Sequence, residues 1–397
     1  MKKIKAVVFV GMNPWHMREI HDTVRFLASA WKQVDRLYIN PPRGLKGSLG
    51  DPKYLSGAFR WRRELCGEIE VYSPPLGFAP VFLGLRRLAD GLAAARMDEI
   101  LKQRYGASWR EDTLLYISSW SYTQTNFIKK LNPKYLLFHI LDDSFAFPLI
   151  KDYPRVLAEN KLFYRHMMRR SSAVIAVSQE LARKYSALYS RPAHVVKNGV
   201  DVAHFKGDGV QAQIPEMEGI RPPVLMYTGS INSWVDLPLL IRLAEARPQY
   251  SLVLIGHYYE GTADAGLWQE LLSKPNVHWL KNRPYGALPA YIRYASALLL
   301  PRTEAEHSRA SDPLKLYEYL STGKPVVSTA LPSVEDFREF VYVPENEAAF
   351  ANTVDTALKE RGLSGNELQT RMMDKHSWAA RIDQIGKILD REIGISF

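Results

Sequence analysis

Cysteine is almost absent from these 397 residues: the single Cys66 excludes an intramolecular disulfide and any metal site built from several thiolates, which fits a reducing compartment. Apolar runs are short as well. None reaches the 18 or so residues that a helix needs to cross a bilayer, and the basic start Met1-Lys2-Lys3-Ile4-Lys5 leads into an apolar run, Ala6 to Val10, with no small-residue cleavage site after it. A first β-strand in a cytoplasmic protein is the expectation. Zinc-finger spacing, an aromatic strand of the RNA-binding type and a long Lys/Arg tract are all missing, so no nucleic-acid module is expected. There is no D-x-D metal motif, because Asp142 and Asp143 are adjacent, and no short-period repeat.

What is present is globular: 46% hydrophobic and 24% charged residues, in a chain too long for one ordinary core, so two domains are expected. The net charge of +10 implies anionic partners, either phosphate-rich ligands or an anionic membrane surface. A β-branched run, Ile4 to Val10, ends at Gly11. The loop Met12-Asn13-Pro14-Trp15-His16 and a helix from about Arg18 to Trp31 follow, the opening of a doubly wound α/β domain without the dinucleotide glycine fingerprint. Further strands are expected at 36–39, 113–117, 134–140 and 173–177, with 41–80 giving weak signals. Asp142 and Asp143 follow the strand 134–140, where ligands bind in open parallel sheets. Periodicity fades between His204 and Pro223. A second α/β rhythm then runs through strands at 224–227, 252–255, 277–280, 297–300 and 326–328, and Gly229-Ser230 and Arg302 stand at two of the strand ends.

The most informative stretch is Ser311-Asp312-Pro313-Leu314-Lys315-Leu316-Tyr317-Glu318-Tyr319-Leu320-Ser321-Thr322-Gly323-Lys324-Pro325. Ser311 or Asp312 suits an N-cap, Pro313 the first helical position, and Gly323 with Pro325 a stop. Lys315 and Glu318, three apart, share a face near the positive end of the helix. A cation beside a carboxylate there suits a diphosphate and a ribose, although a plain surface pair has the same spacing.

This string resembles the donor-binding helix of GT-B nucleotide-sugar glycosyltransferases of the bacterial surface-polysaccharide type. The stretch Ser171 to Asp201, with Ser178 and Asn198-Gly199-Val200-Asp201, resembles the close of their first domain. The resemblance covers most of the chain after Lys134; earlier residues match only in rhythm. It implies two Rossmann-like domains facing a cleft: an acceptor domain at 1–205, a linker at 206–222, a nucleotide-sugar domain at 223–376 and a crossover helix at 377–397. It implies Glu318 on the donor ribose and Lys315 on the diphosphate, with Gly229, Ser230, Arg302, Ser311 and Leu314 around them. A UDP- or GDP-linked sugar would be the co-substrate, with no cofactor and no metal. The second glutamate of the family's E-x7-E pattern falls on Ala310. On the acceptor side Asp142 is the first candidate base and His16 the second, with Gly11, Trp15 and Asp143 nearby. The acceptor would be a glycan or lipid-linked glycan, reached at the inner face of the membrane. Phe59 to Arg63 and Phe78 to Arg87, which interleave aromatics and arginines, suit an interfacial segment. A nucleotide-sugar epimerase and a catalytically silent glycan- or partner-binding subunit are the alternatives. Gly199 is expected to supply a positive φ.

Overall fold

The computed structural model describes residues 2–16, 23–41, 61–75, 83–206, 213–360 and 365–397. Apart from the short β1 (Lys2–Lys3), the first half builds one eight-stranded sheet. Its strands are β2 (Ala6–Val10), β3 (Asp35–Ile39), β4 (Arg62–Cys66), β5 (Ile69–Ser73), β6 (Thr113–Ser118), β7 (Tyr135–Ile140), β8 (Ala173–Ala176) and β9 (His194–Val195). They lie in the order β4-β5-β3-β2-β6-β7-β8-β9, parallel except for the antiparallel edge strand β4. Inner strands are mostly apolar and buried, as in a parallel sheet packed on both faces: every residue of Ala-Val-Val-Phe-Val in β2 is buried.

A second, wholly parallel sheet holds β10 (Val224–Thr228), β11 (Ser251–Ile255), β12 (Val277–Trp279), β13 (Ala297–Leu300) and β14 (Val326–Ser328), in the order β12-β11-β10-β13-β14. Alternate residues feed its two faces. Val224 and Met226 join one apolar cluster, Leu225 and Tyr227 the other. Val200, Val202 and Phe205 already pack into the first of these clusters.

The last helix, Trp378–Ile393, capped by Ser377, returns to the first sheet and buries Trp378, Ile382, Ile385 and Leu389 in its core. Gly394, at φ +64°, turns the chain so that β15 (Ile395–Ser396) pairs with β1. Gly199 serves this helix rather than a left-handed turn: it has no positive φ, and a methyl group there would stand 2.9 Å from the Trp378 ring.

Two sequence readings need further correction. Residues 62–73, inside the weak-signal region, form the β4–β5 hairpin, whose largely exposed edge strand carries three charged residues in a row and so reads as loop. Of the two interfacial stretches, 59–60 and 78–82 lie outside the described residues, Trp61 leads into the hairpin, Arg62 and Arg63 belong to it, and the chain from Leu83 is the start of a helix, Leu83–Tyr105. The helix expected at 18–31 is described as Thr23–Ala30, with 17–22 outside the described residues.

Candidate functional site

The helix foreseen around Lys315 and Glu318 runs from Leu314 to Leu320, and Gly323 follows in the left-handed region as a stop. Its N-terminus differs from expectation. Pro313 is the N-cap, with no side-chain cap, because Ser311 and Asp312 are used elsewhere. Asp312 accepts the Asn198 N–H at 2.6 Å and the Tyr317 hydroxyl at 2.7 Å, while its carbonyl accepts Asn198 Nδ2 at 2.6 Å. Ser178 Oγ, besides capping its own helix, donates to the Ala310 carbonyl at 2.7 Å. The segment leading into the helix is therefore bolted to the first sheet's closing loops, and Leu314 packs on that sheet's core.

Lys315 reaches back across the end of β10. A methyl group on Gly229 would sit 1.7 Å from Lys315 Cε, and Gly229 has φ +134°, so only glycine allows the ammonium to lie along this strand end. Tyr319 fixes the arrangement from below: its oxygen accepts the Thr228 N–H at 2.8 Å. Ser230, next in chain, accepts the Tyr227 hydroxyl at its carbonyl, 2.9 Å away. Glu318 is buried and hydrogen-bonded by Tyr285. Burial pushes the Lys315 ammonium down to about 8, against the pull of Glu318 and with added repulsion from Arg302.

Arg302, at the end of β13, donates to Ser311 Oγ at 2.9 Å and lies over the Trp234 ring at 5.3 Å. Burial lowers its guanidinium to about 10, although Tyr227 and Asp142 oppose the shift. Its Nε is buried with no hydrogen-bond partner among the described residues, as are His307 Nε2 and Ser308 Oγ. Asp142 completes the row from the opposite sheet. It accepts Trp120 Nε1 at 3.0 Å, and burial pushes its carboxyl up to about 6, with the Trp120 bond and Arg302 pulling the other way and Asp143 adding to the rise. The rings of Trp120, Phe147, Trp234 and His307 bridge the two halves, Phe147 lying 5.1, 5.8 and 5.6 Å from the other three.

Glu318, Lys315, Arg302 and Asp142 thus form one continuous charge system drawn from both sheets. Other expected residues have different partners, although the charge of Asp143 acts on Asp142. Asp143 is fully buried and held by Lys184 at 2.6 Å and Tyr185 at 3.0 Å, so it braces the fold, and Lys184 continues to Glu306 at 2.7 Å. Gly11 packs beneath Tyr38, where a side chain would clash at 2.2 Å. Trp15 packs edge-on to Tyr38, and His16 Nε2 contacts Glu64 on β4. The aromatic bridge and Tyr285 escaped the sequence reading; only the strand-end position of Trp120 signalled them.

Residues 211–376 match the family described as glycosyl transferases group 1. Over 150 residues the chain is 30% identical to TuaH of Bacillus subtilis (strain 168), which carries the provisional name of a teichuronic acid biosynthesis glycosyltransferase. That match spans 38% of this chain and 37% of TuaH, little more than a third of the curated relative. Among solved structures, a sucrose-phosphate synthase from Thermosynechococcus elongatus superposes with a TM-score of 0.68 at 15% identity, covering 98% of each chain. Anabaena HepE, solved with UDP and glucose, superposes at 0.65 and 16% identity, over 98% of this chain and 100% of that one.

Proposed function

From a chain with the GT-B fold, whose residues 211–376 are a group 1 glycosyltransferase region, we propose transfer of a sugar from a nucleoside diphosphate donor to a cell-surface glycan precursor. The observation that carries the donor half is the pairing of two half-buried cations, Lys315 and Arg302, each pushed below its ordinary pKa by desolvation, beside Gly229. Partly desolvated positive charge lacking full compensation favours a dianionic ligand, and a departing diphosphate needs that charge. These cations supply the neutralisation without a metal. Glu318 accepts the ribose hydroxyls, with Tyr285 orienting it. HepE's bound UDP supports a uridine donor over a guanosine one.

Asp142 is the proposed base. Its carboxyl at about 6 stays mainly ionised at neutral pH yet is basic enough to take a hydroxyl proton, and its coupling to Arg302 puts it beside the donor phosphates. The acceptor is proposed to be lipid-linked and met at an anionic membrane surface, which the exposed Leu88, Leu92 and Arg96 on one helix support. The name of TuaH supports a surface polysaccharide as the product.

The donor reading is checked by calorimetry with UDP and GDP. Replacing Glu318 by Gln keeps shape but weakens the ribose bonds, so affinity should fall roughly 10- to 100-fold, in line with about 1.5–3 kcal/mol for bonds to a charged group. Unchanged affinity for both nucleotides removes Glu318 from the site.

A further inference from the structure

On the outer edge of the first sheet, His16, Glu64 and Cys66 each offer one ligand atom, and the three atoms lie within 4.8 Å of one another. The trio is not a chance of flexible side chains. Glu64 and Cys66 are two apart on β4 and share a face of that strand, whose register is set by pairing to Val71 and Ile69. His16 comes from the loop after β2, which is pinned at the preceding residue: the Trp15 N–H donates to Asn40 Oδ1 at 2.7 Å, Arg25 Nη1 donates to the Trp15 carbonyl at 2.7 Å, and the Trp15 ring packs on Tyr38 at 4.9 Å. The chain segments that carry the three ligand atoms are therefore brought together by strand pairing and by the contacts of Trp15, without an ion.

We propose that this trio binds one borderline-soft divalent cation, Zn²⁺ first among them. Imidazole, thiolate and carboxylate together suit Zn²⁺, whereas Mg²⁺ and Ca²⁺ prefer oxygen ligands alone. Binding releases the Cys66 thiol proton to solvent and leaves His16 neutral. The ion with one thiolate and one carboxylate is then charge-balanced, and water takes the fourth position. Three protein ligands and an open position make a looser site than a closed structural one. Bound, the ion ties the loop after β2 to the edge strand. The site shares no residue with the Glu318–Lys315–Arg302–Asp142 row, so it fastens a loop rather than taking part in sugar transfer.

Cobalt(II) titration of the full chain is the test, because Co²⁺ reports thiolate ligation by a near-ultraviolet charge-transfer band and Cys66 is the only thiol. The expected result is a band that saturates at one equivalent and is bleached by Zn²⁺. It should vanish in Cys66→Ser, and its Co²⁺ affinity should fall at least roughly tenfold in His16→Gln and in Glu64→Gln, since losing even a group that only supports a ligand costs about that much. Circular dichroism of each variant separates lost binding from lost folding. Should no band form at micromolar Co²⁺, the thiol takes no metal, and should the affinity be untouched by His16→Gln and Glu64→Gln, the thiol binds alone; in either case the site does not exist.

Discussion

Asp142→Asn should lower turnover by about 100- to 10,000-fold, the range for loss of a general base, while leaving UDP affinity nearly unchanged. The amide keeps the bond from Trp120 Nε1 but takes up no proton. In the wild type, turnover should rise with pH through about 6, as the carboxyl ionises, and the variant should lose that acidic limb. His16→Ala should retain it, since His16 faces Glu64 on β4. Stability should move the other way. A carboxyl whose folded-state pKa lies above its unfolded value penalises the fold once it ionises; the penalty grows as pH rises from about 4 to 6 and is complete above that. Asp142→Asn should therefore melt higher than wild type at pH 7.5 and equally at pH 3.5, the pattern of a residue kept for chemistry rather than for folding. A product that keeps the donor's anomeric configuration, with Asp142→Asn active, would replace this base with front-side transfer organised by the donor helix.

Lys315→Met should weaken UDP binding roughly 10- to 100-fold, as expected for losing a charge-assisted bond to phosphate, and uridine binding far less. Equal losses for both ligands would contradict a diphosphate role. The ammonium's pKa of about 8 adds a second signature: wild-type affinity for UDP should decline as pH climbs past 8, and the variant's should not. The sign for stability follows from the same shift. A lysine whose folded pKa is depressed burdens the fold at low pH, fully below about 8, and the burden fades toward the unfolded value near 10.5. Lys315→Met should accordingly melt no lower than wild type at pH 7, measured by differential scanning calorimetry.

Much of this was legible in sequence. Buried parallel strands such as Ala6–Val10, Ala297–Leu300 and Val326–Ser328 are short apolar runs bounded by turn residues. Ser178, Asp236 and Ser377 cap helices as their types suggest. The Lys315–Glu318 spacing survives because one helical turn is set locally. What stayed hidden depends on distant partners. Asp312 looks like a cap, yet its carboxylate is taken by Asn198, 114 positions away. Gly199 reads as a turn glycine until Trp378 arrives against it. Strand β4 exposes Arg63, Glu64 and Leu65 at a sheet edge, which erases the apolar alternation that would announce it.

The most direct measurement of the central claim is release of nucleoside diphosphate from a panel of UDP- and GDP-linked sugars, with and without lipid-linked glycan acceptors in anionic vesicles. The account predicts acceptor-stimulated release from at least one donor, a sugar-extended acceptor, and loss of both in Asp142→Asn. Binding of nucleotide sugars with no transfer to any acceptor would point to a silent subunit. Interconversion of the donor sugar without diphosphate release would point to an epimerase, and either result would contradict the account.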